Sequence, residues 1–329
     1  MENVTQIERL HLEITTKCNA RCPMCMRNYR GFDYNAGYPV TELSFEQFCA
    51  IFSPKFLQQL KVVQFNGNLG DFGMSNHAEP ILNYILQHSD CEVYIETNGS
   101  MRKPEWWASL TDPKITVFWA LDGVNDATHQ LYRIGANFDS SLANAKAFIN
   151  AGGKAVWKFI PFAHNQDQLE TAKQMSQELG FYDFAIWDQG RNQGPVFTKE
   201  GNFSHFLGTE VERIPMLDLL ESHKTWFDVT NVNQHTTTQI NCNHQQQNEI
   251  YCNAIGEIYP CCFLAFYPNT MNHPGNSQLL PLVRENNALE FGLEHAIQWF
   301  SSVYQSWNLE STKAGKLYMC SEACGVCSN

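Results

Sequence analysis

Three cysteines stand in the order Cys18-Asn-Ala-Arg-Cys22-Pro-Met-Cys25, just past a short apolar run. Thiolates this close can hold three irons of a four-iron cluster and leave the fourth iron without a protein ligand. An iron with an open position is a place for chemistry, whereas a cubane bound through every iron stores or passes electrons. Near the other end stand Cys242, Cys261, Cys320, Cys324 and Cys327, enough thiols for a second cluster. The chain holds twelve cysteines, and these groups account for most of them.

A disulfide framework is the competing use of so many thiols. It asks for secretion, yet the opening residues Met-Glu-Asn-Val-Thr-Gln-Ile-Glu lack the basic region and apolar core of a signal peptide. No apolar run approaches the roughly 18 residues of a membrane span. The expected location is a reducing cytoplasm, where clustered cysteines bind metal more often than they pair. A net charge of -12 repels phosphate backbones and argues against broad nucleic-acid binding. The 329 residues suffice for one large core or two modest ones.

Both cysteine groups need a frame, and the first half of the chain offers one in a strand-then-helix rhythm. Leu10-His11-Leu12-Glu13-Ile14 reads as a short strand leading into the first cysteine loop. A helix is expected over 43–56, with Ser44 as N-cap and a break near Pro54. A strand over 61–65 ends in Gly67-Asn68-Leu69-Gly70-Asp71. Next come a helix over 79–87 and a strand over 92–96 ending in Thr97-Asn98-Gly99. A helix over 104–110 and a strand over 115–121 ending in Asp122-Gly123 follow. Helical periodicity returns over 140–151, then a strand over 154–160, a helix over 166–179 and a strand over 182–187. Strands joined by crossover helices imply a mainly parallel sheet, whose ligands bind where strands hand over to loops. Every motif named sits at such a strand end.

From about residue 190 the rhythm stops. Residues 191–201 read as loop, 210–224 as an amphipathic helix, and 230–248 as a polar stretch of Asn, Gln and Thr. A β-hairpin is expected over 249–260, with Gly256 at its turn and Cys261 and Cys262 just beyond. Residues 286–304 read as one long helix. The expected units are a core at 1–190, a linker with a helix at 191–234, and a cysteine-bearing tail at 235–329.

These residues, in this order, resemble the radical SAM superfamily with a C-terminal auxiliary-cluster region of the SPASM or twitch type. The resemblance covers 9–187 and, more loosely, the tail. It implies an α/β fold: a partial (β/α)6 TIM-like barrel followed by a small β-hairpin and helical twitch-type domain. It implies a [4Fe-4S] cluster on Cys18, Cys22 and Cys25 whose open iron chelates the amino and carboxylate groups of S-adenosylmethionine (SAM). Met24 stands where the family often has an aromatic residue, and a thioether can fill the same apolar space against adenine. Gly67, Asn68, Gly70 and Asp71 resemble the segment that receives the SAM amino group, with Asp71 in place of the usual Glu. Thr97 and Asn98 resemble the region near the ribose. Asp122 and Arg133 resemble the family's continuation, Arg133 being a bidentate partner for the SAM carboxylate. Lys158 and Asn165 are further cofactor-facing candidates. In the tail the resemblance implies one auxiliary [4Fe-4S] cluster opened by Cys242 and Cys261. Either Cys320 with Cys324, or Cys324 with Cys327, closes it. Two auxiliary clusters would need every cysteine there, Cys252 and Cys262 included.

Plainer readings stand beside these. A zinc knuckle completed by His11 or a distant cysteine is the alternative for the first loop, and structural zinc for the tail. Cys49 and Cys91 read as buried fillers, and Cys252 and Cys262 as packing near a cluster. His77, His129 and His164 read as surface or supporting residues. Asp188 and Arg191, just beyond the sixth strand, sit where a substrate is gripped and join Cys18, Cys22 and Cys25 as catalytic candidates.

By the resemblance, the reduced cluster cleaves SAM to methionine and a 5′-deoxyadenosyl radical that takes hydrogen from an unactivated carbon. A flavodoxin or ferredoxin is the expected reductant. The first strand near Arg9 leaves no room for a leader-binding domain, so a small polar metabolite is the expected substrate, for oxidation or a related modification. A ribosomally made peptide is the alternative, for epimerisation or a thioether or C–C crosslink. A non-catalytic iron-sulfur electron carrier is the rival from another class, and it predicts no SAM cleavage.

Overall fold

Each apolar run of the first half becomes a strand because β-branched and aromatic residues stand there between turn-forming loops. The structure is a computed structural model and describes residues 4–28, 30–32, 39–187, 194–207, 239–266, 278–311 and 314–326. The strands β1 (Arg9–Leu12), β2 (Val62–Phe65), β3 (Glu92–Thr97), β4 (Ile115–Ala120), β5 (Lys154–Phe159) and β6 (Asp183–Ile186) lie side by side in chain order. Every neighbouring pair among them is parallel. Between them run α1 (Phe45–Ile51), α2 (Pro54–Gln58), α3 (Ala78–His88), α4 (Pro104–Ser109), α5 (Asp126–Tyr132), α6 (Phe138–Asn150) and α7 (Leu169–Glu178). This is the partial (β/α)6 TIM-like barrel that the sequence implied. Among the described residues no helix is long and apolar enough to cross a membrane.

Alternation along the strands sorts side chains between two faces. Ile95, Val117, Trp119, Trp157 and Phe159 join the buried core under the helices. There Trp119 packs on Trp107 of α4, ring centroids 4.7 Å apart, and on Phe148 of α6 at 6.3 Å. The alternate positions include the polar His11, Gln64, Glu96 and Lys158 beside apolar Phe118, Ala120 and Val156. Lys158 Nζ lies 2.5 Å from Glu96 Oε2 and 3.7 Å above the Trp187 ring.

Local chemistry sets the helix ends. Ser44 caps α1 in a capping box with Gln47, and Ser53 caps α2, whose first turn holds Pro54. The expected helix over 43–56 is therefore two helices. The short helix α5 has no counterpart in the periodicity, because its buried side chains are only His129 and Tyr132.

The second half departs further. Within the expected loop over 191–201, β7 (Gly194–Phe197) pairs antiparallel with β8 (Phe203–Leu207), and Val196 and Leu207 are buried. Then come β9 (Gln239–Ile240), β10 (Glu249–Cys252), β11 (Ile258–Tyr259) and β12 (Gly325–Val326). The hairpin of β10 and β11 is the expected one, but β10 also lies parallel to β1, from Arg9 opposite Glu249 to Leu12 opposite Cys252. The sheet order is β11-β10-β1-β2-β3-β4-β5-β6, so tail and barrel share one sheet. The expected helix over 286–304 is three short ones, Ala288–Phe291, Leu293–Ala296 and Phe300–Ser306. Gly292 ends the first with φ +79°, a conformation that favours glycine. The helix expected over 210–224 lies outside the described residues, as do Asp188, Arg191 and Cys327.

Candidate active site and second thiol cavity

The loop after β1 carries Cys18, Cys22 and Cys25 at a strand end. The Cys25 N–H donates to Cys22 O at 2.9 Å and Arg27 Nη1 to Cys18 O at 2.8 Å, which curls the loop. Further donors turn toward sulfur: the Ala20 N–H at 3.4 Å and Asn98 Nδ2 at 3.8 Å on Cys18, and Arg133 Nη1 at 3.7 Å on Cys22. The thiols pack against an apolar cluster that includes Tyr132, Phe162, Val196 and Leu207, with Met24 beside them. Burial pushes Cys25 up to about 11 and raises Cys18 as well. Dry thiols with N–H donors aimed at sulfur suit thiolate ligands of a cluster, which those donors would stabilise. Among the described residues no three Cys, His, Asp or Glu side chains converge as ligands of a single ion. A cubane differs, since each thiolate takes its own iron. His11 is not a fourth ligand: its Nε2 is 3.0 Å from Asn66 O and its Nδ1 faces Glu249 Oε1 at 3.7 Å.

The glycine loop is built by contact. A Cβ on Gly70 would stand 1.7 Å from Thr15 O, and one on Gly67 would stand 2.0 Å from Gly70 O. Only hydrogen fits at either place. Glu13, at the end of β1, takes the N–H groups of Leu69 at 2.5 Å and Gly70 at 3.0 Å on one carboxylate oxygen. That assignment leaves the loop carbonyls, rather than its N–H groups, to accept an ammonium. Asn68 reaches across to the tail, donating to Cys262 O at 3.1 Å. Glu13 was not singled out in the sequence; its signal there is a lone carboxylate ending an apolar strand.

Asp71 joins two loops. Its carboxylate accepts from Thr97 Oγ1 at 2.9 Å, the Asn98 N–H at 2.8 Å, Asn98 Nδ2 at 2.9 Å and the Gly73 N–H at 3.0 Å. Burial raises its pKa, and these donors work against that. Thr97 therefore faces Asp71. Asn98 lies between Asp71, Asn19 and Cys18, near the cysteine loop.

Asp122 and Arg133 meet at 2.6 Å, Nε to Oδ2, with the carboxylate fully buried. Asp122 also accepts the Ile160 N–H at 2.7 Å. Its own N–H donates to His129 Nδ1 at 3.1 Å, and burial holds His129 down to about 4, so that ring is neutral. Asn165, expected at the cofactor, is instead wholly buried. Its amide accepts the Phe162 N–H at 2.6 Å and donates to Ile160 O at 3.1 Å. Lys158, also expected there, is engaged by Glu96 on the polar barrel face.

The tail assembles a second site. A cavity whose empty space, mouth included, is about 360 Å³ is lined by Cys242, Cys261, Cys320 and Cys324. Cys242 is held down to about 6 by a hydrogen bond from Cys324, which rises in turn. Cys252 is buried with its Sγ 3.5 Å from Asn253 O, and Cys262 is a hydrogen-bond neighbour of His11; neither lines this cavity.

The sequence matches the radical SAM superfamily model over residues 12–175. No curated protein matches it. Streptococcus suis SuiB bound to precursor peptide SuiA superposes with a TM-score of 0.57 at 13% identity, covering 98% of this chain and 72% of that one. SuiB bound to SAM gives 0.50 at 14%, covering 78% of this chain and 61% of that one, less than two thirds of the neighbour. Native anSMEcpe with bound AdoMet gives 0.55 at 14%, covering 96% and 88%. At such identities the likeness is one of fold. Through its domain at residues 12–175, about half of its length, the chain belongs to the radical SAM superfamily.

Proposed function

We propose that this chain uses a [4Fe-4S] cluster on Cys18, Cys22 and Cys25, together with SAM, to take a hydrogen atom from a carbon of a peptide substrate. Bound there, cluster and SAM supply reductive cleavage to methionine and a 5′-deoxyadenosyl radical. The observation that carries the reading is Arg133, fixed by Asp122 at 2.6 Å and facing Cys22 at 3.7 Å. A guanidinium has five N–H donors, so those left over suit the SAM carboxylate. The glycine-loop carbonyls suit its amino group, and the apolar wall with Val196 and Leu207 excludes water.

The tail, which we take as the auxiliary region at 235–329 beyond a linker at 191–234, would hold one further [4Fe-4S] cluster on Cys242, Cys261, Cys320 and Cys324. Such a group suits a reaction that withdraws an electron from the substrate. The reductant would be a ferredoxin or flavodoxin in the cytoplasm.

Two observations bear on the substrate. The peptide reading is supported by SuiB bound to SuiA and anSMEcpe bound to the Cp18Cys peptide. The polar barrel face with Gln64, Glu96 and Lys158 favours the second reading, a small polar metabolite. Anaerobic reconstitution, reduction and measurement of 5′-deoxyadenosine test the first step; no cleavage of SAM would leave an electron carrier. Dialysis of a perdeuterated extract into peptide and metabolite fractions tests the second. Deuterium should enter 5′-deoxyadenosine with the peptide fraction; entry with the metabolite fraction alone would overturn that choice.

A further inference from the structure

The cavity in the tail contains two hydrogen-bond donors that meet no oxygen or nitrogen. Tyr304 and Trp307 line it beside Cys242, Cys261, Cys320 and Cys324. The Tyr304 hydroxyl and Trp307 Nε1 are buried, and neither finds an oxygen or nitrogen partner among the described residues. The indole edge faces the Cys320 sulfur. An unsatisfied buried donor costs on the order of 1–3 kcal/mol, so the Tyr304 hydroxyl calls for an acceptor, while the Trp307 indole has only the Cys320 sulfur before it. Much of the remaining lining is apolar, with Ile240, Leu264, Val303 and Met319, so it offers water few partners.

Both groups arrive on one element. Tyr304 lies in the helix Phe300–Ser306 and Trp307 is its C-cap, their rings edge-on at 5.0 Å. An indole N–H can only donate. A phenol hydroxyl is protonated at neutral pH, so it too has a proton to give.

We propose that Tyr304 and Trp307 donate hydrogen bonds to sulfurs of an iron-sulfur cluster held by Cys242, Cys261, Cys320 and Cys324, and so raise its reduction potential. The inference rests on the auxiliary-cluster reading above. A donor toward sulfur stabilises the more negative, reduced state more than the oxidised one. Deleting either donor therefore lowers the potential.

The test uses the full chain with Cys18→Ala, Cys22→Ala and Cys25→Ala, so that iron bound after anaerobic reconstitution belongs to the tail. Failure to retain iron and sulfide in this background overturns the auxiliary-cluster reading itself. With iron retained, EPR-monitored redox titration is compared between this protein and its Tyr304→Phe and Trp307→Phe derivatives. The expected result is a shift to lower potential of about tenfold in the reduced-to-oxidised ratio per donor, 59 mV for one electron. Unchanged midpoints, with iron still bound, overturn the hydrogen bonds and leave the cluster standing. If one derivative loses its iron, the other is titrated. If both do, ENDOR on the reduced parent decides, by finding or failing to find strongly coupled phenol and indole protons.

Discussion

The hydroxyl of Tyr251 donates to Glu13 Oε2 at 2.7 Å, while Glu13 Oε1 holds the N–H groups of Leu69 and Gly70. A strand from the C-terminal half thus fixes the carboxylate that shapes the glycine loop of the barrel. Tyr251→Phe keeps the ring that packs edge-on against His11 at 4.9 Å but strips a partner from a buried oxygen. The expected loss is about 1–3 kcal/mol in urea unfolding. The dissociation constant for SAM should rise about tenfold, roughly 1.4 kcal/mol, with the iron content unchanged. An unaltered SAM affinity would show that the loop keeps its shape without this phenol.

Gly70→Ala tests the loop from the other side. The new methyl would meet the Thr15 carbonyl oxygen at 1.7 Å, and backbone cannot rotate away as a side chain does. Overpacking of this kind costs about 1–3 kcal/mol and displaces the segment. Isothermal titration should find SAM binding abolished while the N-terminal iron is retained. A variant that binds SAM normally would place the SAM amino group elsewhere.

The barrel was legible because its strands are apolar runs of four to six residues bounded by turn signals, as in Glu92–Thr97 before Gly99. The cysteine loop stood out by its spacing and Arg133 by the family resemblance, and the structure sets Arg133 Nη1 3.7 Å from the Cys22 sulfur. The place of the tail hairpin was not, because pairing between Leu12 and Cys252 joins residues far apart in the chain and leaves no local pattern. The hairpin of Val196 and Leu207 was missed because Gly194, Pro195 and Gly201 make its composition that of a loop. Asn165 misled for another reason: its position at a strand end suggested a ligand contact, and the backbone of its own turn had prior use for its amide.

The Asp122–Arg133 pair should behave as a unit. Arg133→Met strands a wholly buried carboxylate and is expected to destabilise by about 3–5 kcal/mol. Asp122→Asn keeps an acceptor for the Ile160 N–H and should be milder. In the double variant the two losses should fall short of additive by about 0.5–3 kcal/mol, as read from urea midpoints. Strict additivity would mean that the 2.6 Å contact does not operate in solution.

His11 predicts a pH dependence that the cysteines alone do not. Its burial opposes the charged ring, but hydrogen bonds with Cys262 and Glu249 outweigh that and raise its pKa from 6.5 to about 10. A folded value above the unfolded one means the stabilisation is complete below about 6.5 and lost as pH rises through about 10. Across that window the unfolding free energy should fall by up to about 1.4 kcal/mol per pH unit. His11→Gln retains a side-chain donor within reach of Asn66 O, removes the titrating ring and should flatten this part of the profile. Thiols remote from His11 titrate alike in both proteins, so the difference between the two profiles reports His11 together with its partners Cys262 and Glu249. Parallel profiles would establish that the ring is neutral in the folded chain, and that Glu249 is held by Arg9 and His244 alone.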